Sequence, residues 1–325
     1  MEPGGMMLVN HENAGQRKSP THSFWSQPLG SFIIARRADQ LLPWASREAQ
    51  VEIREKDLDM KHLEDVARQA IDAAGRILRH RMGRPGRVVQ KGKADYVTEV
   101  DKACEEAILK TISSHFPSHK VISEESPLMR DGASEVTWIV DPLDGTTNFI
   151  HGFPMVSVSV AVAREEEVLL GLVLDPIREE LFVARKGSGA KLNNSPIQVR
   201  ARATVSDALM ATGFPHRAKH YLEPYMAAMG RILQEANDLR RAGSAALDLA
   251  YVACGRLDGF WEPGLKPWDV AAGSLLVKEA GGIVTDFWGN PEYLLNGHVV
   301  AATKRIHGFL LEQISHELAP ALRPA

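Results

Sequence analysis

The stretch that most constrains this chain is a short apolar run that ends abruptly in acid. Trp138-Ile139-Val140 reads as a strand, followed at once by Asp141-Pro142-Leu143-Asp144-Gly145-Thr146-Thr147-Asn148. The strand delivers Asp141 at its end, where a side chain projects into a cleft. Pro142, lacking an N–H, is expected to stop the sheet ladder there. Asp144 follows three positions after Asp141, so a tight turn can aim both carboxylates at one point. Gly145-Thr146-Thr147 then looks like the opening of a helix, whose free backbone N–H groups form an anion site. Two hard carboxylates beside such a helix start suit Mg²⁺-assisted phosphate chemistry. Taken alone, an Asp followed by Asp-Gly is also an ordinary turn with a helix cap.

Two other stretches carry the same signal. Val121-Ile122-Ser123-Glu124-Glu125-Ser126 is a second strand ending in adjacent carboxylates. Pro267-Trp268-Asp269-Val270-Ala271 places an Asp at the start of an apolar helix, where by itself it reads as an N-cap. Three separated strand or helix termini carrying acids suggest one shared cation site.

The rest of the chain alternates between helix and strand. From Met60, the residues Leu63, Val66, Ala70, Ile71, Ala74, Ile77 and Leu78 recur at helical spacing on one face. Gly83, Pro85 and Gly86 break that helix, and Lys91-Gly92-Lys93-Ala94-Asp95 reads as a polar loop. A second helix begins near Thr98 and buries Val100, Cys104, Ala107, Ile108 and Ile112. Ser157 to Ala163 and Val168 to Leu174 form a hairpin pattern around Arg164-Glu165-Glu166-Glu167, and Leu181 to Ala184 continues the strands. Helical stretches at about 219–236, 244–254 and 268–280 then alternate with short strands at Leu209-Met210-Ala211, Gly259-Phe260-Trp261, Ile283-Val284-Thr285 and Val299-Val300-Ala301. An amphipathic helix closes the pattern over 305–318. Strands mixed with helices, partly in hairpins, predict a layered α+β or α/β fold.

With 325 residues the chain can hold one large domain or two smaller ones sharing an interface. Residues 1–59 mix Gly, Pro, His, Asn and Ser without an apolar period. They are expected to be a disordered extension, or sequence upstream of the true start at Met60. A transit peptide is the other reading, against which Glu48, Glu52 and Glu55 count. Residues 60–318 are expected to form the catalytic unit, two closely packed α/β subdomains with a boundary near 195–205, and 319–325 a tail.

A formal net charge of -3 argues against a general nucleic-acid binder, yet leaves room for an anionic substrate held through a cation. The two cysteines, Cys104 and Cys254, lack a CxxC pattern and read as reduced thiols of a cytosolic protein. No apolar run nears the ~18 residues of a membrane span, and the start has no signal-peptide layout. The expected location is the cytoplasm, without membrane contact.

Asp141-Pro142-Leu143-Asp144-Gly145-Thr146-Thr147-Asn148-Phe149 resembles the first signature of the inositol monophosphatase family. Trp268-Asp269-Val270-Ala271-Ala272-Gly273, with Glu279-Ala280-Gly281-Gly282, resembles the second. Glu124-Glu125-Ser126 and the loop Lys93-Ala94-Asp95-Tyr96-Val97-Thr98-Glu99-Val100-Asp101 are similar to further elements of the family, in the same order. The resemblance covers about residues 60–318 and implies a layered αβαβα sandwich shared with sugar bisphosphatases.

It also implies a phosphoric monoester hydrolase that uses two to three Mg²⁺ ions. Glu124, Asp141 and the Leu143 carbonyl would hold the first ion, Asp141, Asp144 and Asp269 the second, and Glu124 a weaker third. The substrate would be a small polyol phosphate, inositol 1-phosphate first, attacked by a metal-activated water without a covalent intermediate. Asp101 and Thr146, with Glu124, would handle that water, and the Gly145 and Thr146 N–H groups would cradle the phosphate. Gly243, Ser244, Ala245 and Glu262 would line the polyol beside Asp144 and Asp269. Thr147, Asn148 and Phe149 read as structural, Lys93 as a loop residue near phosphate, and Glu125 as support rather than ligand. Lithium sensitivity and a homodimer follow from the same resemblance. Two alternatives stay open. One is a related phosphatase for fructose bisphosphate, histidinol phosphate, NADP or a 3′-phosphonucleotide. The other is a regulatory protein that uses this fold to bind a macromolecular partner. A nucleotide reader would need an aromatic or Arg platform near 243–246, where the sequence offers only Arg240-Arg241.

Overall fold

The computed structural model describes residues 58–92, 95–126, 134–201, 204–215 and 218–322. The expected extension and Lys93 fall largely or wholly outside them. The chain divides into Met1–Leu58 and Asp59–Ala325, and all described residues but Leu58 belong to the second unit.

Helices α1 (Met60–Arg81) and α2 (Glu99–His115) flank a two-stranded hairpin of β1 (Val88–Gly92) and β2 (Asp95–Thr98). The expected polar loop therefore falls at a hairpin, which the sequence hid because β1 is exposed along its whole length. On α1, Leu63, Val66, Ala67, Ala70, Ile71, Ala74 and Leu78 are buried. Each of the larger ones contributes about 1.5–3 kcal/mol of burial.

Next come β3 (Lys120–Ser123), β4 (Val136–Asp144), the single-turn helix α3 (Thr146–His151), β5 (Ser157–Arg164), β6 (Glu167–Asp175), β7 (Glu180–Arg185), β8 (Ala190–Leu192) and β9 (Ser195–Ile197). Strands β3 to β9 form one sheet in sequence order, parallel only at β3–β4. Strand β5 is buried on both faces, as a strand covered by helices on each side must be.

The second half holds β10 (Leu209–Thr212), α4 (Leu222–Glu235), β11 (Asp238–Arg240), α5 (Ala245–Ala253), β12 (Gly259–Glu262), α6 (Pro267–Glu279), β13 (Ile283–Thr285), α7 (Tyr293–Asn296), β14 (Val299–Ala302), α8 (Lys304–Ser315) and α9 (Leu318–Leu322). Its five strands run in the order β11-β10-β12-β14-β13. Helices α5 and α6 pack between the two sheets, α1 and α2 pack on the larger sheet, and α4, α8 and α9 cover the smaller one. The result is five layers, αβαβα, the sandwich that the sequence resemblance implied. Residues expected as a tail from 319 onward begin inside α9, where Ala319 and Leu322 are buried against the outer core.

The layers approach closely at Gly171 of β6, where a Cβ would stand 2.8 Å from the Ala272 carbonyl of α6. Cys104 and Cys254 are free thiols. No helix among the described residues is long and apolar enough to cross a membrane.

Candidate active site

The acid-bearing termini meet where β3 and β4 end. Strand β4 does not stop at Pro142. It runs on to Asp144, pairing Asp141 with Ser159 and Asp144 with Ser157, so β4 carries one residue more than β5 between those pairs. A bulge absorbs the extra residue and the missing proline N–H, and it re-aims the side chains around it. The Leu143 N–H donates to Asp141 Oδ1 at 3.0 Å, fixing that carboxylate against its own turn.

Asp141 is wholly buried. Burial first, then the charges of Glu124, Asp144 and Asp269, hold its carboxyl well above the usual carboxylate range. Glu124 stands beside it because its N–H bonds the Val140 carbonyl at 3.2 Å, continuing the parallel ladder. Asp269 is not the N-cap of α6 but sits three positions further in, after the cap Lys266, Pro267 and Trp268. Its Oδ2 accepts from the Lys266 N–H at 2.7 Å, tying the side chain to the start of the helix.

Asp144 is fixed through a single oxygen. Its Oδ2 accepts from Ser244 Oγ at 2.6 Å, the Ala246 N–H at 2.9 Å and Ser157 Oγ at 3.4 Å. Burial raises its carboxyl, opposed by these hydrogen bonds and by the Arg241 charge. Ser244, expected on the polyol wall, is fully buried, and its hydroxyl serves Asp144 instead.

Asp101 and Thr146 come together at the start of two helices. Asp101 Oδ2 accepts from the N–H of Thr98, the cap of α2, while Oδ1 accepts from Thr146 Oγ1 at 3.1 Å. The same Thr146 hydroxyl lies 3.3 Å from the Leu143 carbonyl, so its one proton serves either acceptor. Burial raises the Asp101 carboxyl, with hydrogen bonds from Thr98 and Thr146 opposing. Glu125 is held by Lys91 Nζ at 2.6 Å, a tie from the hairpin to the acid cluster.

The far wall comes from the smaller sheet. Gly145 and Gly243 both have φ +92° and lie against each other, a Cβ on Gly145 standing 3.2 Å from the Gly243 carbonyl. Asn148 Nδ2 ties α3 to this wall through the carbonyls of Met155 at 2.7 Å and Ala242 at 2.9 Å. Glu262 ends β12, and its carboxyl occupies the space a side chain at Gly213 would need.

Three residues were missed from the sequence. Gly213 and Phe214 follow β10 far from any motif, and nothing in the linear pattern marks them. Asp248 had a signal, an acid inside the apolar run of α5. It is buried, and desolvation with the charges of Glu262 and Asp144 raises its carboxyl well above the usual range.

Among the described residues no three His, Cys, Asp or Glu side chains stand close enough together to clasp an ion as they are. Like charges without a cation between them repel. The donor set nevertheless fits a hard cation, since it consists of oxygens and includes a buried carboxylate facing three more. A cavity of about 380 Å³ lined by Phe287, Trp288, Leu311 and Glu312 has none of these acids in its wall.

Residues 59–319 match the inositol monophosphatase family. The chain belongs to the inositol monophosphatase family. Within it, the chain is 45% identical over 261 residues to Nus factor SuhB of Escherichia coli K12, covering 80% of this chain and 98% of that one. The extragenic suppressor protein suhB from Bartonella henselae superposes with a TM-score of 0.76 at 39% identity, over 79% of this chain and all of that one. Inositol monophosphatase from Anabaena superposes with a TM-score of 0.71 at 36% identity, over 81% of this chain and 100% of its own.

Proposed function

We propose that this site hydrolyses the phosphate monoester of a small polyol, inositol 1-phosphate first, in the presence of Mg²⁺. Membership of the inositol monophosphatase family supports a metal-dependent phosphatase. The observation that carries the reading is the Asp141 carboxylate, buried among Glu124, Asp144 and Asp269. Such a group is costly to keep ionised unless a cation joins it.

Glu124, Asp141, the Leu143 carbonyl, Asp144 and Asp269 would hold two Mg²⁺ ions, with a third weaker one near Glu124. Bound there, Mg²⁺ supplies charge neutralisation at the ester and makes water more acidic. The chain's own residues do the rest. Thr146 Oγ1, donating to Asp101 Oδ1, forms a relay that orients water and takes its proton. Burial raises the Asp101 carboxyl and so makes it a stronger base. The backbone N–H groups of Gly145 and Thr146 would receive the phosphate, and Gly243, Ala245 and Glu262 the polyol. Attack by water needs no covalent phospho-enzyme. A homodimer and inhibition by lithium at the second ion position accompany this reading.

The name Nus factor carried by the E. coli relative favours a second reading. In it the chain acts by binding a macromolecular partner, with or without turnover. Phosphate release from inositol 1-phosphate, fructose 1,6-bisphosphate, histidinol phosphate and 3′-phosphoadenosine 5′-phosphate, with and without Mg²⁺, separates the two. Preference for inositol 1-phosphate that EDTA abolishes supports the first reading. Preference for another ester keeps the metal site and overturns the pocket assignment. No Mg²⁺-dependent turnover of any ester leaves the partner-binding reading.

A further inference from the structure

We propose that Arg241, propped on the ring of Phe214, is a specificity-determining donor paired with the acceptor Glu262, and that together they select phosphate esters whose alcohol carries neighbouring hydroxyl groups. The inference rests on the phosphatase reading above and names the chemistry that its pocket would recognise.

The pair is built on two consecutive residues. Strand β10 ends at Thr212, and Gly213 and Phe214 follow it. A Cβ on Gly213 would stand 1.9 Å from Glu262 Cδ, so the absence of a side chain there makes room for the carboxyl. Phe214 is 39% exposed, braced edge-on by Tyr225 with ring centroids 5.9 Å apart. The Arg241 guanidinium carbon lies 5.4 Å from the Phe214 ring centroid. The exit of β10 thus meets an anion through Gly213 and a cation through Phe214.

Arg241 is also directed toward the reacting end. Strand β11 pairs in parallel with β10, Arg240 opposite Ala211, which brings the next residue alongside the β10 exit. Arg241 Nη1 folds back over Gly243, where a Cβ would meet it at 2.6 Å. Its charge is felt at Asp144 and Asp248, whose carboxyls it pulls downward against burial. Arg240 behaves differently and pairs with Asp238 at 2.5 Å on the outer edge. Arg241 instead rests on the Phe214 ring, and no salt bridge holds it among the described residues.

The chemistry of the two groups is complementary. Arg only donates and a carboxylate only accepts, whereas a hydroxyl does both. In a vicinal diol one hydroxyl can donate to Glu262 while its neighbour accepts from Arg241. An ester without hydroxyls engages neither. The Phe214 ring restricts the long Arg side chain before substrate arrives, which lowers the ordering cost of binding.

The test compares inositol 1-phosphate with 4-nitrophenyl phosphate, which lacks hydroxyls, both with Mg²⁺. The second ester is followed by its own turnover or as a competitor of the first. In Arg241→Gln the KM for inositol 1-phosphate is expected to rise relative to the KM or Ki of the hydroxyl-free ester by about tenfold, with kcat far less affected. Phe214→Leu should shift the same ratio in the same direction by less, and Phe214→Tyr should restore it. Both side chains lie at the surface, so an unchanged melting temperature shows that the variants fold. If Arg241→Gln moves both esters by the same factor, or neither, the inference is overturned and the phosphatase reading stands. If the unaltered chain hydrolyses no ester with Mg²⁺, that reading fails and the inference fails with it.

Discussion

Ser244 Oγ donates a 2.6 Å hydrogen bond to Asp144 Oδ2, joining the end of β4 to the start of α5 across 100 positions of chain. Ser244 also caps α5, accepting from the Leu247 N–H, and lies 3.1 Å from Ser157 Oγ. One buried hydroxyl therefore serves a helix, a sheet and a candidate metal ligand together.

Ser244→Ala should lower stability by about 1–3 kcal/mol, from loss of a cap and a charge-assisted buried bond. It should also raise the Mg²⁺ concentration needed for half-maximal turnover. Denaturant melts and a Mg²⁺ titration read the two effects. Normal stability with weakened substrate binding would instead return Ser244 to the polyol wall.

Asp141→Asn should abolish hydrolysis and yet raise the melting temperature of the metal-free protein. The sign follows from the raised carboxyl, which holds its proton to higher pH in the folded state than in the unfolded chain. Folding then takes up a proton, so stability falls as pH climbs from the ordinary carboxylate range into the raised one. The substitution removes a carboxyl whose ionised form the folded state disfavours, and Mg²⁺ should stabilise the unaltered protein far more than the variant. Thermal melts with and without Mg²⁺ decide it, and a drop in melting temperature for the metal-free variant would contradict the account.

Gly213→Ala should leave the fold standing and displace Glu262, whose carboxyl carbon lies 1.9 Å from the required Cβ position. The clash involves the end of a side chain that can swing away, so the expected effect is a KM for inositol 1-phosphate raised about tenfold. Steady-state kinetics beside a melting curve separate this from a loss of stability.

Acid sensitivity should come in part from His298. Burial lowers its pKa from 6.5 to about 4, in a nest with Phe287, Trp288 and the Gly264 N–H. Below 6.5 the unfolded chain binds a proton that the folded state refuses, so stability present above that value is lost as pH falls toward 4. The full effect is on the order of 3 kcal/mol. Stability measured from pH 7 to pH 4 should slope less steeply in His298→Gln.

Periodicity made most elements legible, because burying one face of α1 or both faces of β5 demands apolar residues at the spacing of the element. The exposed hairpin β1–β2 was illegible for the opposite reason, since it buries nothing along β1. The end of β4 was misjudged because a proline removes a donor only where one is needed, and a bulge removed the need at Pro142.

By itself the sequence determined which acids end which elements. Glu124, Asp141 and Asp144 follow apolar runs and Asp269 opens one, the period of each run sets its element, and local chemistry suffices for that. What only the tertiary structure decided is which residues outside those motifs share the site. Ser244 turns to Asp144, Gly213 yields its space to Glu262, and Phe214 braces Arg241. These pairs are joined by packing between layers. No local propensity encodes a contact whose two halves lie on separate elements and meet only once both sheets have closed around α5 and α6.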